Sequence, residues 1–153
     1  MKIKKIMTKT VEICRKNDNL AKATEIMWKK DCGIVPVIDE ESKIIGMITD
    51  RDICIALASK NQTAAEISVA ELVGGKVFKC SEEDKVEDVL KIMKRRRVKR
   101  LPVSDKNGEL QGIISLSDIL LKAGSNKKVK KKILKTLEAI SKPRPIVLRA
   151  IQN

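Results

Sequence analysis

Three observations predict an α/β fold of two tandem β-α-β-β-α units followed by a basic helix. The run Gly46-Met47-Ile48-Thr49-Asp50-Arg51-Asp52 recurs 66 residues later as Gly112-Ile113-Ile114-Ser115-Leu116-Ser117-Asp118. Short β-prone segments alternate with segments whose apolar residues recur at helical spacing. Beyond residue 124 nine Lys/Arg face the single acid Glu138. The first observation means duplication. At a fixed offset of 66, residues 11–54 align with 77–120 without a gap, and 12 of the 44 positions are identical; average composition gives about three. Two copies this long are supersecondary units, not solenoid turns. The chain divides into repeat 1 (1–58), a linker (59–68), repeat 2 (69–123) and a basic tail (124–153).

Each repeat is expected to run in the same order. A β-prone strand opens it, at residues 11–14 and 77–80. A polar stretch follows, Asn17-Asp18-Asn19 or Ser81-Glu82-Glu83-Asp84, where Asn or Ser can cap a helix and acids favour its positive end. Apolar residues Leu20, Ala23 and Met27, then Val86, Val89, Leu90 and Met93, mark helices of about eleven residues. Strands 34–38 and 101–103 carry Pro36 and Pro102. Proline cannot donate to a ladder, which predicts that each strand begins near an edge or opening. The turn Asp105-Lys106-Asn107-Gly108 is a hairpin signal. Strands 44–49 and 110–115 return, and Asp50 and Ser117 are expected to start closing helices that reach about Ala58 and Ala123. In the tail, Ser125 or Asn126 can cap a helix with an apolar stripe of Val129, Ile133, Leu134, Leu137 and Ile140. Pro143 and Pro145 end it, and 146–148 is expected to be extended.

Composition narrows the chemistry. With one Trp, one Phe and no Tyr, the core must be aliphatic. There is no His, and Cys14, Cys32, Cys54 and Cys80 show no C-x-x-C spacing. No metal site and no catalytic residue is therefore expected, because zinc ligation, general acid–base and nucleophilic catalysis lack their usual parts. The cysteines read as reduced, small core residues. No run is long and apolar enough to span a membrane, and Met1-Lys2-Ile3-Lys4-Lys5 lacks a signal's apolar stretch. A cytoplasmic protein without membrane contact is expected. The net charge of +13 suits phosphate-bearing partners, small or polymeric.

The lead-in Ile6-Met7-Thr8, the Pro-Val strand and the duplicated Gly-x-x-(Thr/Ser)-x-x-Asp corner resemble tandem cystathionine-β-synthase (CBS) domains over about residues 3–123. The resemblance implies a pseudo-twofold pair with two clefts that hold adenosine ligands: AMP, ADP, ATP or S-adenosylmethionine. It also implies a homodimer, a regulatory role read by an effector protein, and no required cofactor. Asp52 and Asp118 would accept hydrogen bonds from ribose hydroxyls, with Thr49 and Ser115 beside them. The competing reading of both carboxylates is a helix cap. By analogy with the family, Asp52 and Thr49 would share a cleft with Val77, Phe78 and Lys79, and Asp118 and Ser115 one with Thr10, Val11, Glu12, Ile34 and Val35. Lys99 and Arg100 would meet phosphates, helped by Arg51. Their counterparts in repeat 1, Gly33 and Ile34, are not basic, so the Asp52 cleft is expected to take the multiply phosphorylated ligand. Trp28 aligns with Lys94 and is expected at a protomer interface. The alternatives are a nucleic-acid-binding protein using the Lys-rich tail, or a structural dimer with vestigial clefts.

Overall fold

The computed structural model describes residues 1–143. The expected extended segment at 146–148, with Pro145, lies outside them. Repeat 1 consists of β1 (Cys14–Arg15), α1 (Leu20–Lys30), β2 (Ile34–Ile38), β3 (Ile44–Thr49) and α2 (Asp50–Lys60). Repeat 2 consists of β4 (Cys80–Ser81), α3 (Val86–Arg96), β5 (Arg100–Ser104), β6 (Leu110–Ser115) and α4 (Leu116–Lys122), and α5 (Lys127–Ser141) follows. Each repeat folds a three-stranded sheet, β1-β2-β3 or β4-β5-β6. In both, the first pair is parallel and the second antiparallel. The bulges match as well, at Val37/Ile38 and Val103/Ser104.

Local chemistry sets most element ends. Asn19 caps α1 by accepting the Lys22 N–H at 3.0 Å. Repeat 2 departs from this: α3 has no side-chain cap, and Ser81 instead accepts the Glu83 N–H. Glu87 and Asp88 in the first turn of α3 stabilise its positive end. The first closing helix starts at Asp50 as expected, and the second starts one residue before Ser117, at Leu116. Thr49 and Ser115 are their N-caps, each in a capping box with the Asp three residues on, so Ser117 sits inside the first turn. Helix α2 also runs on to Lys60.

Pro36 and Pro102 lie on the central strands β2 and β5, not on edges. The reason they are tolerated is the length of β1 and β4. Each outer strand has only two residues and pairs with the residues after the proline, Val37–Ile38 or Val103–Ser104. On that side the ladder begins where the proline ends.

The two cores cross the repeat boundaries. Ile3 and Ile6 from the start of the chain pack among Val86, Val89, Leu101 and Ile114 of repeat 2. Ile67 and Val69 pack among Leu20, Ala23, Val35 and Ile48 of repeat 1. Backbone bonds fasten both exchanges: the Ile3 N–H donates to Asp84 O at 3.0 Å, and the Leu20 N–H donates to Ile67 O at 3.0 Å. Each lead-in thus closes the other repeat's core. Burying such side chains stabilises by about 1.5–3 kcal/mol each, which ties each repeat's core to the other's lead-in.

The tail helix docks on the body. Val129 and Ile133 join the core of repeat 2, Ile140 packs against it, and the buried Thr136 hydroxyl, which donates to Lys132 O of its own helix at 2.9 Å, lies 3.5 Å from Leu90 O. Asn126 is the N-cap. The expected stripe is narrower than drawn: Leu134 and Leu137 remain 57% and 41% exposed, because the buried face turns through Thr136 instead. Lys142 is extended, as the residue before Pro143 must be.

Candidate functional site: two clefts between the repeats

The strand-to-helix corners place two clefts between the repeats. In the first, Met47 and Thr49 of β3 face Val77 and Phe78 from the lead-in of repeat 2 and Lys99, Arg100 and Leu101 at β5, around a cavity of about 360 Å³. In the second, Ile113 and Ser115 of β6 face Thr10, Val11 and Glu12 from the lead-in of repeat 1, with Cys32 and Ile34, around about 400 Å³. These walls are the same positions 66 residues apart: Met47/Ile113, Thr49/Ser115, Val11/Val77, Glu12/Phe78, Cys32/Val98 and Ile34/Arg100. The clefts are pseudo-twofold copies.

Two glycines allow the lead-ins to come this close. A Cβ on Gly112 would meet Thr8 O at 2.4 Å, and one on Gly46 would meet Val73 Cγ1 at 2.5 Å. The copies then diverge. Thr8 bridges Ile113 and exchanges both backbone bonds with it, at 2.9 and 3.0 Å. The equivalent Gly74 forms no bridge to Met47, and Gly75 takes a positive φ of 80°.

The walls differ most in charge. Lys76, Lys99 and Arg100 border the first cleft, with no carboxylate on its wall. None of the three makes an ion pair or side-chain hydrogen bond among the described residues. The Phe78 ring there is held by the Arg96 guanidinium, 4.1 Å above its centroid, a contact that stabilises by about 0.5–1 kcal/mol at an exposed site. In the second cleft the counterparts of Phe78 and Arg96 are Glu12 and Lys30, which pair at 3.5 Å. Asp31 and Asp118 add two further carboxylates to that wall, against the cations Lys30 and Arg100.

The corner carboxylates serve as helix caps. The Thr49 N–H donates to Asp52 Oδ2 at 2.9 Å, and the Asp52 N–H donates to Thr49 Oγ1 at 3.1 Å. Asp118 Oδ2 accepts the Ser115 N–H at 2.8 Å and the Ser115 hydroxyl at 2.6 Å. In each carboxylate the other oxygen, Oδ1, accepts no protein donor among the described residues. Asp118 borders the second cleft, whereas Asp52 is exposed and off the wall of the first.

Thr49, Val77, Phe78, Lys99 and Arg100 are thus gathered at one cleft, and Thr10, Val11, Glu12, Ile34, Ser115 and Asp118 at the other. Four expected residues stand apart: Asp52, exposed and engaged in its helix cap, and three more. Arg51 is exposed on α2, Val35 is buried beneath the sheet, and Lys79 leans on the β5–β6 turn at Gly108. Lys76 borders the cleft in place of Lys79. Lys30, Asp31 and Cys32 were not anticipated either. Their signal was the repeat offset, since Cys32 and Lys30 align with Val98 and Arg96 beside the basic cluster.

All four cysteines are free. Burial pushes the Cys14 thiol up to about 11 and the Cys80 thiol up to about 12. Among the described residues no helix is long and apolar enough to cross a membrane.

Comparison with known proteins agrees with this architecture. The CBS-domain profile matches residues 3–59 and 69–124. The uncharacterized protein YlbB of Bacillus subtilis is 33% identical over 129 residues, which cover 83% of this chain and 85% of that protein. Inosine-5'-monophosphate dehydrogenase of Methanocaldococcus jannaschii is 32% identical over 120 residues, 78% of this chain but 23% of the dehydrogenase. The crystal structure of the CBS domain pair of protein MJ0100, in complex with 5'-methylthioadenosine and S-adenosyl-L-methionine, superposes with a TM-score of 0.72 at 27% identity. It covers 83% of this chain and 98% of that one. With two tandem copies of the domain accounting for both sheets and both clefts, the chain belongs to the CBS-domain family.

Proposed function

We propose that the chain is a regulatory module that binds adenosine ligands in its two clefts and signals their presence to an effector protein through a change in repeat or dimer geometry. The observation that carries this reading is the convergence of Lys76, Lys99 and Arg100, unpaired among the described residues, on a cleft of nucleotide size beside Phe78. Three cations with no acid on the same wall favour a phosphorylated ligand, and an aromatic face suits a purine. The first cleft accordingly takes AMP, ADP or ATP. The second, with Glu12, Asp31 and Asp118 on its wall, suits a ligand with less negative charge, such as S-adenosylmethionine. The ligands of the MJ0100 pair support the adenosine assignment. The free Oδ1 of Asp118 would accept a ribose hydroxyl while Oδ2 keeps the helix cap.

The proposed homodimer follows from exposed apolar residues on three helices: Trp28, 86% exposed, with Ile55 and Leu121. Their solvation is unfavourable, and a second copy would cover them.

Calorimetric titration of nucleotide-stripped protein with AMP, ADP, ATP and S-adenosylmethionine tests the reading. Saturable binding of at least one phosphorylated ligand is expected. No heat from any of the four at micromolar to millimolar concentration would reject it.

A further inference from the structure

Arg100 borders both cavities, and so does Ile34, its counterpart 66 residues earlier. The pair therefore sits where the repeats meet about their pseudo-twofold axis, and only one member is charged. Arg100 is exposed and makes no hydrogen bond or ion pair among the described residues. Its guanidinium is a rigid fork of five donors, which can grip one phosphate in two places but cannot grip ligands in two clefts at once.

The charges around it give that choice a consequence. If Arg100 turns to the first cleft it joins Lys76 and Lys99. The second cleft then keeps Lys30 against Glu12, Asp31 and Asp118. We propose that Arg100 couples the two clefts. A phosphorylated ligand in the first draws the guanidinium to itself, which weakens an anionic ligand in the second and strengthens a cationic one. The coupling is reciprocal, as binding linkage requires. This inference rests on the adenosine-binding reading above.

The test uses ATP as the probe of the first cleft, and AMP and S-adenosylmethionine as probes of the second. Titration calorimetry gives affinities, and the methyl signals of Met47 (first cleft) and Ile113 (second cleft) assign each ligand to its cleft. In the native chain, saturating ATP is expected to weaken AMP at the second cleft and tighten S-adenosylmethionine there, each by about fivefold or more. In Arg100→Ile, which places the residue of repeat 1 in repeat 2, both changes should shrink below twofold. Arg100→Lys should keep their direction. A melting temperature within a few degrees of the native value certifies each variant as folded. Equal coupling in Arg100→Ile, or none in the native chain while both clefts fill, overturns the proposal and leaves adenosine binding standing. Failure of ATP and of S-adenosylmethionine to bind at all overturns both.

Discussion

Replacing Asp118 separates a helix cap from a ligand contact. Its Oδ2 holds the Ser115 N–H at 2.8 Å and the Ser115 hydroxyl at 2.6 Å, so Asp118→Ala removes the side-chain half of that cap and leaves the backbone N–H of residue 118 donating to Ser115 Oγ. Losing a cap costs about 0.5–2 kcal/mol. For a chain of this size each kcal/mol lowers the melting temperature by about 2–4 °C, so a fall of about 1–8 °C is expected. If Oδ1 also accepts a ribose hydroxyl, a charge-assisted bond of about 1.5–3 kcal/mol disappears as well, and affinity at the second cleft should fall about 10- to 150-fold. Asp118→Asn can still accept the Ser115 N–H. It should recover most of the melting temperature but little of the affinity. Thermal unfolding and titration calorimetry on the same preparations measure the two effects. A lower melting temperature with unchanged ligand affinity at the second cleft would make Asp118 a cap alone, with no ligand contact.

Three further outcomes follow from the same geometry. Gly112→Ala puts a methyl 2.4 Å from Thr8 O, a backbone atom fixed by two hydrogen bonds to Ile113; overpacking of this kind costs about 1–3 kcal/mol, and denaturant unfolding with an unchanged midpoint would contradict the close approach. Thiol labelling at pH 7 should modify exposed Cys54 fastest, spare Cys14 and Cys80, whose burial raises them to about 11 and about 12, and modify Cys32 at a rate that falls when ligand fills the second cleft; a ligand-independent Cys32 rate would count against that cleft. Lys2 and Lys4 hydrogen-bond Glu83 and hold its carboxyl down to about 2. A depressed carboxylate contributes its stability above its ordinary value near 4.5 and loses it as the pH falls toward 2, so the N-terminal lead-in should loosen in that window, and less visibly at high salt; carbon NMR showing an ordinary Glu83 titration would remove this tie.

Much of the fold was legible because it is written twice. The offset of 66 places Thr49 with Ser115 and Asp52 with Asp118, and both corners adopt the same capped geometry. Duplication reveals which positions correspond, but not which segments touch. Nothing in the local pattern says that Ile3 belongs to the core of repeat 2 or Ile67 to that of repeat 1, since burial there depends on chain crossing. For the same reason Lys76 and Lys30 went unseen as cleft residues, while Lys79 and Arg51 were expected there and lie elsewhere. Pro36 and Pro102 mark where their strands begin at an opening, because a two-residue β1 or β4 leaves the ladder unmade beside each proline even though the strand is central. Leu134 and Leu137 have the spacing of a buried stripe, yet α5 meets α3 along Val129, Ile133 and Thr136, a choice made by the shape of the docking surface.

In the proposed function, unpaired cations at the first cleft select a phosphorylated adenosine ligand. The most direct measurement is methyl NMR of Met47 and Ile113 during titration of nucleotide-stripped protein with adenosine, AMP and ATP at two salt concentrations. The Met47 signal should saturate at lower concentration with each added phosphate, and raising the salt should erode this order. Equal affinities for adenosine and ATP at Met47, or a response confined to Ile113, would contradict it.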